Sequence, residues 1–319
     1  MKRTIGFLAA IMFGAALSAS PALAQEFPTK QPIKLIVAAN AGGGSDALAR
    51  ITAEFLQRRL GQAVVVDNRP GASGSLGADY VSKASPDGYT LLFTANEFCV
   101  LPAVRSNLPY KFDEFSYLMR FFSMSPLMLA SPKFPPNSIP ELVQYMKANP
   151  GVTRYGSTGI GAVVHLGVSM FEGAAGVKGL HVPYSGSAPV YSNLLGGHLD
   201  FTEGAVPFPN GLKVLGPLGT KRHPAYPDMP TLDESGIKNA SWDLWYGLVA
   251  PPNLPQPIAD RLIEALTAVM KDPDAIAKFA ATAHTAPDPL IGPAFKKAVL
   301  EENKQWKIVA DREKIVMQP

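Results

Sequence analysis

Apolar positions along this chain fall into two alternating rhythms. Short unbroken apolar runs read as buried strands, at "IKLIVAA" (33–39), "AVVVDN" (63–68) and "GYTLLFTA" (88–95). Between them the spacing lengthens to the helical period. In "DALARITAEFLQRRLG", Leu48, Ile51, Phe55 and Leu60 share one face and Gly61 marks the stop. "SLGADYVSKAS" (75–85) aligns Leu76, Tyr80 and Ala84 in the same way. Strands separated by helices predict a parallel sheet covered by helices on its faces.

The rhythm restarts at "PLMLAS" (126–131). A helix follows at 138–150, with Ser138 as its N-cap and Pro140 and Glu141 in its first turn. A strand at 153–157 leads into a helix at 162–176 that is apolar nearly all round, which predicts deep burial. Strand, helix and strand follow at 179–184, 187–197 and 198–204. The last third differs. A short capped helix is expected at 227–236, a strand at 244–252, and amphipathic helices at 256–272 and 294–312. Two α/β lobes are expected, with the tail returning to pack on the first. The boundaries follow as 25–126 for lobe 1, 127–245 for lobe 2 and 246–319 for the return.

The first residues stand apart. Lys2 and Arg3 precede an apolar run too short for a comfortable membrane span, and Ala22-Leu23-Ala24 ends it with a cleavage pattern. Residues 1–24 therefore read as a secretory signal peptide rather than an anchor, cleaved after Ala24. No cysteine follows the cleavage site to carry a lipid. Among 319 residues 47% are hydrophobic, enough for two cores. The net charge of +3 falls close to neutral once Lys2 and Arg3 are removed, and no basic run is present, so nucleic-acid binding is not expected. Cys99, the one cysteine, reads as a small buried hydrophobe rather than a nucleophile.

The chemistry concentrates where strands become helices. In Asn40-Ala41-Gly42-Gly43-Gly44-Ser45-Asp46, glycines permit a tight turn, and the following helix offers unpaired N–H groups and a partial positive charge. That combination suits an anion. Neither the P-loop nor the dinucleotide glycine pattern fits, because the three glycines are contiguous and Ser45-Asp46 follows. Asp46 would repel an anion unless turned away. A turn that needs glycine only for its geometry is the alternative reading. A second junction, Ser157-Thr158-Gly159-Ile160-Gly161-Ala162, has the same grammar, and a third supplies Tyr184, Ser185 and Ser187. Arg69, in the glycine-rich "DNRPGASGS", reads as structural. No nucleophile-elbow serine and no histidine pair at metal spacing is present, so neither a metal site nor a cofactor is expected. His165, inside the apolar helix, reads first as a core histidine and second as a ligand contact.

The ordered string "FPTKQPIKLIVAANAGGGSDALAR", "VVVDNRPGASGSLGADYVSKASPDGYTLL", "YGSTGIGAVVHL", "VPYSGSAP", "LLGGHLDF", "PDMPTLDESG" and "WYGLVAPPNLPQPIADRL" resembles the Bug-type receptors of tripartite tricarboxylate transporters. The resemblance covers nearly the whole chain after residue 24. It implies an α/β, two-lobed periplasmic binding protein of type II, the Venus-flytrap kind. It also implies a monomer that captures a small organic acid between its lobes without catalysis. The matching loops are Asn40–Asp46 and Ser157–Ala162. The implied partner is a membrane permease of a tripartite transporter or, in a sensing role, a sensor kinase. An exported hydrolase or transferase is the competing class. The sequence departs from the family at Ala38-Ala39-Asn40-Ala41, at Ala162 in place of a serine, and at Glu97-Phe98 and Glu203, which would place two acids near the mouth. A monocarboxylate bearing an amide, amine or aromatic group is then expected over a dianion, with Phe98, Phe121 and Phe122 as an apolar wall. Both acids pointing to solvent is the alternative.

Overall fold

The computed structural model describes residues 27–205 and 207–317, so the expected signal peptide, residues 1–24, lies outside the described residues. Two mixed sheets organise the chain. The first contains β1 (Ile33–Val37), β2 (Val64–Asn68), β3 (Thr90–Ala95), β4 (Ser116–Met124), β10 (Leu244–Ala250) and β11 (Leu290–Ile291), in the order β11-β4-β10-β3-β1-β2. The second contains β5 (Leu127–Ala130), β6 (Arg154–Ser157), β7 (Leu180–Pro183), β8 (Phe201–Gly204) and β9 (Lys213–Pro217), in the order β7-β6-β8-β5-β9.

Purely parallel sheets are not what forms. β1 pairs in parallel with β2 and β3, and β6 with β7 and β8, as the strand–helix rhythm requires. β10, however, runs antiparallel to β3 and β4, and β5 runs antiparallel to β8 and β9. The reason is connectivity. β4 ends at Met124 in the first sheet and β5 begins at Leu127 in the second, so these strands lie where the chain crosses between sheets and outside the strand–helix–strand repeat. These strands carry the chain from one sheet to the other, and β10 brings it back.

The helices cover the sheets. α1 (Gly44–Leu60) ends on Gly61 in the left-handed region at φ 66°, as its stop signal predicts. α2 (Ser75–Ser82), α3 (Glu97–Val104), α4 (Ile139–Ala148), α5 (Val163–Ala175), α6 (Ser187–Gly196), α7 (Gln256–Val269), α8 (Pro273–Ala283) and α9 (Pro293–Glu313) follow. Ser138 Oγ caps α4 by accepting from Glu141 N. α5 is buried on nearly every side. α3, α8, β4, β9 and β11 have no counterpart among the expected elements. The 227–236 helix does not form: Thr231 and Glu234 cap one another reciprocally, at 2.8 and 3.2 Å, but only turns follow before Gly236 at φ 83°. Pro230 and Gly236 leave too few residues between them to propagate a helix.

The tail packs on both lobes rather than on the first alone. α9 lies along α3, and its far end reaches α5, where Arg312 Nη2 donates to Ser169 O at 2.6 Å. Lys178 bridges Glu172 and Glu313 at 3.0 and 2.8 Å. Midway, Glu302 accepts from Asn96 Nδ2 at 2.6 Å, Trp245 Nε1 at 2.6 Å and Trp306 Nε1 at 2.9 Å, tying the helix to β10. At the crossings, Leu218 N donates to Pro126 O and Gly219 N to Ser125 Oγ, both at 2.8 Å. Cys99 is buried, with Sγ 3.2 Å from Asn96 O.

Gly247 on β10 has no space for a side chain. An added Cβ would stand 2.6 Å from the Phe295 ring and 2.9 Å from Met119 O. Gly247→Ala should lower stability by about 1–3 kcal/mol in urea denaturation, and an unchanged midpoint would contradict this packing.

Candidate ligand-binding cleft

A cavity of about 650 Å³ is bordered by elements of both sheets. From the first sheet come the turn after β1, the turn between β2 and α2, and the start of α3. From the second come the turns after β6 and β7 and the end of β8.

The turn after β1 is built by Asp46. Its carboxylate accepts from Gly42 N at 2.9 Å, Arg50 Nε at 3.0 Å and Asn68 Nδ2 at 3.0 Å. The Arg50 hydrogen bond holds the Asp46 carboxyl below its ordinary range against the opposing effect of burial, with Gly42 and Asn68 adding to it. Asp46 therefore shapes the loop and does not border the cavity. Ala41, Gly42, Gly43 and Gly44 are exposed and also lie outside the lining, whereas Asn40 and Ser45 are part of it. The first turn of α1 has N–H groups without intrahelical acceptors at this end.

The turn between β2 and α2 adds a wall that the glycine count alone did not assign. Ala72 and Ser73 sit in the left-handed region at φ 47° and 55°, a conformation costing non-glycine residues about 1–3 kcal/mol each. Ser73 borders the cavity. Gly77 permits the approach, since a Cβ there would meet Ala38 Cβ at 2.8 Å. Arg69 is structural, pairing with Asp67 at 3.0 Å and lying 3.6 Å over the Tyr80 ring.

On the opposite side Ser157, Thr158, Gly161 and Ala162 border the cavity, while Gly159 does not. Gly159 and Gly161 adopt φ 136° and 76°. His165 is held behind the turn, where its Nδ1 accepts from Gly161 N at 3.1 Å, so its role is to shape the loop rather than line the cavity. Its ring stacks on His181 at 3.8 Å. Burial and then the neighbouring His181 ring lower His165 to about 4, and burial lowers His181 to about 4. His181 Nε2 lies 2.6 Å from Ser157 Oγ, a serine–histidine contact that the sequence did not disclose. That contact is poor catalytic equipment. Ser157 is 1% exposed, its oxygen also lies within hydrogen-bond distance of Gly159 N and O, and so depressed an imidazole is a weak base. Tyr184 lies outside the lining, against the Val190–Leu194 cluster, whereas Ser185 and Ser187 border the cavity.

Glu97 and Glu203 are the only charged side chains bordering the cavity among the described residues. Glu97 is exposed to the cavity yet surrounded by protein, and this enclosure raises its carboxyl above the ordinary range. Glu203 is 3% exposed and neither carboxylate oxygen has a hydrogen-bond partner. Burial pushes it well above its ordinary value, with a smaller opposing effect from the Trp242 indole, whose own N–H lacks a partner of good geometry. Glu203 is buried away from bulk solvent, whereas Glu97 is exposed at the border of the cavity.

The expected aromatic wall is only partly present. Phe98 borders the cavity but is buried against Tyr110, Phe112, Phe115 and Tyr117. Phe121 and Phe122 are fully buried, Phe121 stacked on Phe93 and Phe122 against Phe279, because β4 is an interior strand. Tyr191, Trp242 and Tyr246 take their place. Only Tyr246 lay in a segment recognisable as a strand end.

Two helix-flanked sheets enclosing a shared cleft define the two-lobed periplasmic binding protein fold, and solved structures agree. The periplasmic binding protein BugD is 31% identical, with a TM-score of 0.76 over 91% of this chain and 99% of its own. The R. palustris protein Rpa4515, solved with adipate, is 26% identical, with a TM-score of 0.79 over 91% and 99%. A UPF0065 protein of Bordetella pertussis is 36% identical over 78% of this chain and 79% of its own. The profile of the tripartite tricarboxylate transporter family receptor matches residues 48–313, and the chain belongs to that family of periplasmic solute-binding receptors.

The raised carboxyls have a consequence for stability. A folded-state value above the ordinary 4.5 means that the folded chain holds a proton the unfolded chain has lost. The Glu203 contribution therefore weakens folding as pH rises from about 4.5 towards the raised value. Glu203→Gln cannot titrate. In denaturation of the unliganded protein its stability relative to wild type should rise between pH 4 and pH 8, because only the wild type loses a proton on unfolding there. Equal pH slopes for the two proteins would contradict the placement of this side chain.

Proposed function

We propose that this chain, exported with its signal peptide cleaved after Ala24, captures a small organic acid in the cleft and releases it to the membrane permease of a tripartite transporter. The observation that carries this reading is the convergence of strand-to-helix turns from both sheets on one cavity. Amide donors there suit a carboxylate. Of the residues singled out from sequence, Asn40, Ser45, Ser157, Thr158, Gly161 and Ala162 contact the ligand. Asp46, the Gly42–Gly44 run and His165 act by holding the loops. Binding draws lobes 25–126 and 127–245 together, with residues 246–319 returning to the first and touching the second through the end of α9. The motion turns on the crossings near Ser125–Pro126 and Leu218–Asp243. The protein acts as a monomer and carries its ligand unchanged, and a sensor kinase would read the same closed form.

The two carboxylates favour a monocarboxylate bearing an amide, amine or aromatic group, with Glu97 or Glu203 accepting its hydrogen bond. Adipate, the acid in the Rpa4515 structure, is a dianion. Here its second carboxylate would face acids and no cation among the described lining residues. Thermal unfolding with a panel of acids tests this. Substituted monocarboxylates at saturating concentration should raise Tm by several degrees, since binding at a thousandfold excess over Kd is worth about 4 kcal/mol. Stronger stabilisation by succinate-like or citrate-like dianions would reverse the ligand assignment.

A further inference from the structure

The Glu203 carboxyl is an acceptor with nothing to accept from. It is buried at the end of β8, borders the cavity, and has no hydrogen-bond partner on either oxygen. Such a group is costly to keep unless something occupies it. It is also held in place. Gly167 on α5 lies directly behind, where an added Cβ would overlap Glu203 Oε2 and stand 2.8 Å from Trp242 Nε1. Glu203 is nonetheless a lining residue of the cavity, with both carboxylate oxygens covered by protein.

No compensating charge comes from the protein. Among the described residues no lysine, arginine or histidine borders the cavity. Glu97 enters from α3 on the other lobe, so each wall carries one acid. Enclosure disfavours the ionised form of both acids, and a cation between them would favour it. Trp242, Tyr191 and Tyr246 border the same space, and aromatic rings attract a cation placed over their faces. The turns that border the same cavity present amides suited to a carboxylate.

Resting on the receptor reading above, we infer that the ligand is a zwitterion, a small acid with a separate protonated amine, and that the amine is held by Glu203 and Glu97 while the carboxylate is held by the glycine turns. An amide or a plain aromatic group satisfies the hydrogen bonding or the packing but not the charge. A protonated primary amine supplies N–H donors to the unpartnered Glu203 oxygens and a positive charge to both acids. Glu203 thereby selects among organic acids.

Calorimetric titration of the purified, signal-free receptor at pH 7.5 tests this with carbon-matched sets. These are ω-amino acids such as γ-aminobutyrate and δ-aminovalerate, the corresponding acid amides, the dicarboxylates, and the unsubstituted monocarboxylates. At least one amino acid should bind about tenfold or more tightly than its matched dicarboxylate, amide and plain acid. Glu203→Gln should cost the amino acid about tenfold or more while leaving the matched amide within about threefold. Where that variant fails to fold by circular dichroism, Glu97→Gln should show the same selective loss. An amide, dicarboxylate or plain acid that binds as well as the amino acid overturns the zwitterion inference and leaves the receptor reading standing. Binding of no acid in any set overturns the receptor reading itself.

Discussion

A strand that leads through a short glycine-containing turn into a helix leaves the main-chain N–H groups of the helix's first turn without intrahelical acceptors. That deficit organises this molecule. It occurs at Asn40–Asp46 on the first sheet and at Ser157–Ala162 on the second, and both turns border one cavity. Some donors of the turns are already engaged, Gly42 N with Asp46, Gly159 N with Ser157, Gly161 N with His165 and Ala162 N with Gly159 O, so the first turns of the helices supply the rest. Asp46 turns back to brace its loop through Gly42, Arg50 and Asn68, and does not quench the site with its charge. His165 braces the opposite loop from behind through Gly161.

The same cavity tolerates costs that a purely structural core would avoid. Ser73 is held in the left-handed region, and Glu203 is buried with both oxygens unpartnered. Each is destabilising alone. Both face the same space, which fits sites that give up stability for recognition. The long tail offsets some of this by joining the lobes. Glu302 ties α9 to the return strand, and Arg312 and Lys178 fasten its end to the second lobe.

Legibility in the sequence followed local periodicity and stopped where tertiary contacts decided. β1, β2, β3 and α1 were readable because apolar runs and a glycine stop encode them directly. β4 was missed because "SYLMRFFSM" is apolar on both faces and lacks alternation. The same interior placement removed Phe121 and Phe122 from the expected wall. The antiparallel pairing of β10 and β5 depends on where the chain crosses between sheets, which no local pattern records. In the site, the two glycine turns were visible as grammar, but directions were not. Asp46 points away, Glu203 points in, and Ser157 meets His181 across a separation of 24 residues. The strand end at Glu203 was legible; its lack of a partner depends on Gly167 and Trp242, both distant in sequence.

The most direct test is a crystal structure of the receptor grown with its tightest-binding acid. The account predicts a closed cleft with the ligand carboxylate within hydrogen-bond distance of main-chain N–H groups from both the Asn40–Asp46 and the Ser157–Ala162 turns. A carboxylate held by one lobe alone, or a ligand seated outside this cavity, would contradict it.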